Sequence, residues 1–259
     1  MQYALITGAS KGIGKSIAIE LAKRGINQVL IARSEELLIQ LSKELEKEHS
    51  IKALHFACDL TENDACEKVV EFIKRQGIDI HILVNNAGYG LWGNFHELSL
   101  NGQMNMMHLN MTFIVKLTYM LLPDLMKRER SYILNVASTA AHQAVPSLSV
   151  YSATKSFLLS FSRGIRLELK QSSVSVTCLC PGGTDTEFIA RAGLHHMEKT
   201  AERFSMDPQT VALAGIEGMF ERRAEVVPGF LNAAGAAVGR ILPKFVAENV
   251  AASLYHKIK

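Results

Sequence analysis

The sequence predicts a single doubly wound α/β domain, a parallel sheet of about seven strands with helices on both faces. Three observations carry that prediction. Short, nearly uninterrupted apolar runs alternate with longer amphipathic stretches along the chain. No Pro-, Gly- or Ser-rich linker breaks the alternation, so all 259 residues read as one unit. A glycine-rich turn follows the first apolar run, at the carboxyl end of a strand, where open parallel sheets bind their ligands. Strands covered on both faces need apolar residues throughout, and the continuous runs fit that requirement.

Taken in order, residues 3–7 form the first strand and lead through glycines into a helical pattern carrying Ile17, Leu21 and Ala22. Residues 28–32 form the second strand. After it, Leu37, Leu41 and Leu45 recur at i, i+4, i+8 among Glu and Lys, the buried stripe of a helix. A third strand over 51–57 precedes a charged helix over 62–75, and residues 80–84 are the fourth strand. One long helix is expected over 100–127, then a strand over 132–136, a helix over 149–170 and a strand over 174–180. The remainder is less regular: a loop-rich segment over 183–206, a helix over 208–221, a short run over 225–227 and an amphipathic extension over 230–259.

Composition narrows the class. The balance of 28 Lys and Arg against 25 Asp and Glu leaves a net charge of +3, too small and too evenly spread for a nucleic-acid partner. A hydrophobic content of 48% supports a full core and excludes a disordered chain. The uncharged run 131–154 contains Asn135, His142, Gln143 and Pro146, which a membrane span does not tolerate in such number. The first apolar run is short and lacks a basic flank, so no secretory signal is expected and the chain reads as cytoplasmic. Cys58, Cys66, Cys178 and Cys180 form no C-x-x-C pair and have no His at zinc spacing; they read as reduced cysteines, and no metal site is expected.

The glycine turn reads Thr7-Gly8-Ala9-Ser10-Lys11-Gly12-Ile13-Gly14. Between a strand and a helix, such glycines let the backbone turn sharply and approach a pyrophosphate, whose charge the helix N-terminus favours. A Walker-type phosphate loop is excluded, because five residues rather than four separate Gly8 from Gly14. The second strand ends in Ala32-Arg33-Ser34, without the acidic residue that grips a ribose 2′-hydroxyl. The Arg33 guanidinium suits a 2′-phosphate, and Lys11 adds a second cation, so NADP(H) is the expected dinucleotide.

Tyr151 and Lys155 lie four residues apart on one face of a helix. A phenol titrates near ~10; a cation ~5 Å away at an effective dielectric of ~20 contributes about 3 kcal/mol, or roughly two pKa units. That brings Tyr151 toward general acid/base work near neutrality. Ser138 follows the fifth strand, Asn85-Asn86-Ala87-Gly88 follows the fourth and Pro181-Gly182 the sixth, so small and polar residues share one crevice.

Together these motifs resemble the short-chain dehydrogenase/reductase family: T-G-x-x-x-G-I-G at 7–14, N-N-A-G at 85–88, the serine at 138, Y-x-x-x-K at 151–155 and P-G at 181–182. The resemblance implies a Rossmann-type fold and hydride transfer between NADP(H) and a carbonyl or secondary alcohol. It implies Tyr151 as acid/base, Ser138 as hydrogen-bond donor to the substrate oxygen, and Lys155 as holder of the ribose and depressor of the Tyr151 pKa. Asn110 would support a relay water. Implied cofactor contacts are Gly8, Ser10, Lys11, Gly12, Ile13, Gly14, Arg33, Ser34, Asp59, Leu60, Asn86, Ala87, Gly88, Tyr151, Lys155, Pro181, Gly182, Thr184 and Thr186.

An apolar small-molecule substrate, a ketone, aldehyde or oxoacyl group, is suggested by Trp92, Val145, Leu148, Phe188, Leu194, Met197 and Phe204, which could equally seal loops onto the core. His195-His196 reads as a solvated loop pair. A homodimer rather than a tetramer is expected, with the C-terminal extension packing on its own protein or a like subunit, covering the substrate pocket, or touching a membrane. Two other readings are an NADP-binding sensor or scaffold without chemistry, and an epimerase or dehydratase reaction on the same fold.

Overall fold

The computed structural model describes residues 2–184 and 205–241. Seven strands, β1 (Tyr3–Thr7), β2 (Asn27–Ala32), β3 (Ala53–Ala57), β4 (Ile80–Asn85), β5 (Ser131–Val136), β6 (Val174–Leu179) and β7 (Glu225–Val226), form one sheet in the order β3-β2-β1-β4-β5-β6-β7. Every pairing is parallel. The connecting helices are α1 (Gly12–Ala22), α2 (Glu35–His49), α3 (Ala65–Arg75), α4 (Leu100–Met107), α5 (Ile114–Met126), α6 (Ser149–Glu168), α7 (Pro208–Phe220) and α8 (Phe230–Ile241).

The chain winds outward from β1 in one direction to β3, then returns to the other side of β1 with β4. That reversal opens a crevice at the carboxyl ends of β1 and β4. The strands are apolar on both faces because each face has its own core. Leu5, Leu83, Ile133 and Val176 point into a layer with α3, α5 and α6, while Ala4, Ile6, Ile82, Val84 and Leu134 point into a layer with α1, α2 and α7. Burying each large aliphatic side chain contributes about 2 kcal/mol.

The expected strand over 51–57 is shortened to Ala53–Ala57, and the helix expected from 62 begins at Ala65. The helix expected to run unbroken over 100–127 is interrupted by a wider π-helical turn, His108–Phe113. The turn contains Asn110, fully buried, whose Nδ2 donates to the Tyr89 carbonyl (3.0 Å) and whose Oδ1 accepts from the Tyr89 N–H (3.2 Å). Such turns inside helices often mark functional positions.

The four cysteines are buried and outside any disulfide. Among the described residues no helix is long and apolar enough to cross a membrane. Of the C-terminal extension, α8 is described and exposes Phe230 and Leu231; most of the 183–206 segment and the residues after 241 lie outside the described residues.

Candidate active site

The glycine turn leaves β1 with Gly8 at φ +66° and Gly12 at φ +54°, backbone geometry that favours glycine. Gly14 is needed for a different reason. A Cβ there would sit 2.1 Å from the Gly8 carbonyl oxygen and 2.5 Å from Asn86 Nδ2. The Asn86 side chain itself clamps the turn, donating to the carbonyls of Thr7 (2.9 Å) and Gly8 (3.1 Å). Thr7 Oγ1 completes the clamp by accepting from the Asn86 and Ala87 N–H groups (3.0 and 3.1 Å) while donating to the Val84 carbonyl (3.2 Å). Ser10 and Ile13 are half-buried, Lys11 is exposed at the N-cap of α1, and the first turn of α1 has no acidic residue. Close backbone approach and an uncompensated helix N-terminus fit a bound pyrophosphate.

Arg33 and Ser34 are exposed just past β2, Ser34 being the N-cap of α2. Arg33, Thr61, Tyr89, Leu91 and Asn105 line a cleft of about 330 Å³. Asp59 Oδ1 accepts from the Thr61 N–H (2.9 Å) and hydroxyl (2.8 Å). Burial pushes the Asp59 carboxyl up, but those two bonds and then the Arg33 guanidinium outweigh it and hold the group below its usual range. The Leu60 side chain is buried in the core.

Tyr151 and Lys155 share a face of α6, with Lys155 Nζ 5.8 Å from the Tyr151 ring centroid. Lys155 is 5% exposed and donates from Nζ to the Val136 carbonyl at 2.9 Å. Burial pushes its ammonium down to about 8, with Cys178 and Cys180 acting the other way. The next residue, Ser156, donates from Oγ to the Ala141 carbonyl at 2.7 Å. These two bonds register α6 against the segment after β5, where Ser138 caps a 3₁₀ turn, Thr139–His142, by accepting from the Ala140 N–H (3.1 Å). Ser138, Tyr151 and Lys155 are thereby brought to one end of the sheet.

Asn110 joins them through α6: its Nδ2 also donates to Thr154 Oγ1 at 3.1 Å. Gly88 fits the gap between them, since a Cβ there would lie 2.9 Å from Asn110 Oδ1 and 3.4 Å from Lys155 Nζ. Both ends of the Asn110 amide are thus engaged by protein. Pro181 and Thr184 are buried after β6, Thr184 Oγ1 donating to the Gly182 carbonyl (3.1 Å), and Asn232 of α8 packs over Gly182. Thr186, Phe188, Leu194, His195, His196, Met197 and Phe204 lie outside the described residues. Val145 and Leu148 are buried with Met106 and Tyr151, and Leu91 and Trp92 pack against that cluster.

Sequence reasoning missed the Thr7–Asn86 clamp as a clamp. It also missed a buried polar chain in which Asn85 Nδ2 donates to Asn135 Oδ1 (2.8 Å) and Asn135 Nδ2 donates to Ser162 Oγ (2.8 Å). An asparagine inside an otherwise apolar strand was the available signal for it.

Comparison with known proteins agrees with this architecture. The short chain dehydrogenase family model matches residues 2–197. Human 17-beta-hydroxysteroid dehydrogenase type 3 is 34% identical over 235 residues, 89% of this chain and 74% of that protein. Very-long-chain 3-oxoacyl-CoA reductase-A of Danio rerio is 35% identical over 186 residues, 70% of this chain but only 57% of that protein. Among solved structures, a short-chain dehydrogenase from Sphingobium yanoikuyae in complex with NADPH superimposes with a TM-score of 0.82 at 29% identity, covering 94% of this chain and 96% of that one. The bulky-bulky ketone specific alcohol dehydrogenase from Comamonas testosteroni gives a TM-score of 0.77 at 26% identity, covering 94% and 96%. On the extent of the family match, with sheet order and motif placement in accord, the chain belongs to the short-chain dehydrogenase/reductase family of oxidoreductases.

Proposed function

We propose that this chain interconverts a carbonyl and a secondary alcohol on a bulky apolar substrate, using NADP(H), with Tyr151 as proton donor and acceptor. The observation that carries the reading is the buried Lys155 cation beside Tyr151, locked onto the Val136 carbonyl. When bound, the dinucleotide supplies or accepts the hydride. Gly8, Gly14 and the N-terminus of α1 would hold its pyrophosphate, and Arg33 its 2′-phosphate.

At neutral pH a lysine titrating at about 8 is still mostly protonated, so Lys155 favours the phenolate that forms when Tyr151 gives its proton to the substrate oxygen. Ser138 Oγ already accepts from the Ala140 N–H, which leaves its hydrogen to donate to that same oxygen. In the oxidative direction Tyr151 removes the alcohol proton. The cluster of Met106, Val145, Leu148, Leu91 and Trp92 around Tyr151 excludes water and favours an apolar substrate, in keeping with the steroid and long acyl chains in the relatives' names.

The test is NADPH oxidation by the full chain against a panel of apolar ketones, followed at the reduced-nicotinamide absorbance. Tyr151→Phe is expected to lower kcat at least ~10²-fold with NADPH binding retained. A variant that keeps most of its activity overturns the assignment. Product formed without net NADPH consumption would indicate epimerisation or dehydration instead.

A further inference from the structure

Three side chains far apart in the sequence meet at the edge of the sheet beside the Ser138 segment. His142 closes the Thr139–His142 turn, Cys180 follows β6 and Glu225 opens β7. One nitrogen, one sulfur and one carboxylate oxygen from these residues all lie within 4.8 Å of one another. His142 Nε2 is 3.4 Å from Glu225 Oε1, their side chains 4% and 9% exposed, and Cys180 is fully buried.

We propose that His142, Cys180 and Glu225 form a binding site for a zinc-class divalent cation, with a fourth position for water. The donor set is the argument. Calcium and magnesium take oxygen ligands, whereas one imidazole, one thiolate and one carboxylate suit a borderline-soft cation. Donors around tetrahedral zinc stand about 3.3–3.6 Å apart, so the imidazole–carboxylate pair already matches and the remaining contacts close by roughly 1 Å. On binding, the Sγ–metal bond replaces S–H and the thiol proton leaves to solvent. Thiolate and carboxylate then balance the cation's two charges.

Arg163 takes the other carboxylate oxygen, its Nη2 3.3 Å from Glu225 Oε2, which leaves Oε1 turned to the cluster. The backbone around the ligands is pinned: Cys180 N–H donates to the Val226 carbonyl (2.8 Å) and Thr139 N–H to the Pro181 carbonyl (2.8 Å). A cation here would tie the Ser138 segment to the sheet edge, whatever reaction the site performs.

The experiment uses the full chain, stripped with chelator and dialysed against zinc chloride or cobalt chloride. One equivalent of either metal per chain is expected, with a thiolate-to-cobalt charge-transfer band. Cys180→Ser should abolish the band, and His142→Gln should abolish retention of zinc. Cys178→Ser, whose thiol is 3.8 Å from Cys180 but outside the cluster, should keep both. Absence of the band in folded wild-type protein overturns the site, and this measurement stands even if a variant fails to fold. Metal retained unchanged in Cys180→Ser and His142→Gln overturns it as well.

Discussion

Lys155 shows the cost of holding a cation where water is excluded. Its ammonium titrates at about 8 rather than 10.5. Between those values the unfolded chain holds a proton that the folded chain has released, so stability rises as pH goes from about 8 to about 10.5. Below that window the burial cost is fully present. Lys155→Met should therefore stabilise the ligand-free protein at pH 7 by about 1–3 kcal/mol and flatten its rise toward pH 10, read from urea unfolding at both pH values. A less stable variant at pH 7 would show that the bond to Val136 outweighs burial. Arg33 gives a second residue-scale prediction: Arg33→Asp should weaken NADPH binding by about tenfold or more while barely changing NADH, measured by titration calorimetry. The placement of Tyr151 and Lys155 on one helix, and of Arg33 just past β2, was legible because it rests on local spacing or on the end of one strand. The clamp by Asn86 was not, because its partner Thr7 is 79 residues away.

At the scale of elements, the approach of α1 to the end of β4 depends on one missing methyl. Gly14→Ala would drive a Cβ into the Gly8 carbonyl and the Asn86 amide, backbone and clamp at once. Loss of about 2–4 kcal/mol of stability and of dinucleotide binding is expected, measured by unfolding and by NADPH fluorescence. Unperturbed binding would show that the turn relaxes elsewhere. Strands were readable because burial on both faces leaves uninterrupted apolar runs. The break at His108–Phe113 was not, since no residue there disfavours a helix strongly. The turn holds Asn110 against the Tyr89 backbone, a partner 21 residues away that it meets only on folding.

Across the whole molecule, Asn85, Asn135 and Ser162 link β4, β5 and α6 through the buried layer. Asn135→Ala would leave Asn85 Nδ2 with only Thr118 Oγ1 and Ser162 Oγ with only the Leu158 carbonyl, so a loss of about 1–3 kcal/mol is expected in denaturant melts. A change within error would mean that the chain repacks without it. The alternation of strands and helices announced the sheet, but pairing order is a three-dimensional property, and so is the meeting of His142, Cys180 and Glu225. The position of β1 has a further consequence, for synthesis. Of the strands in this sheet β1 is the earliest in the chain, yet it is a central one, and its turn is clamped by residues that follow β4. A nascent chain emerging at ~5–20 residues per second exposes that strand's open edge for several seconds before its neighbour exists. The half of the sheet from β1 to β3 is therefore complete in the nascent chain before the strand that closes its other side is made.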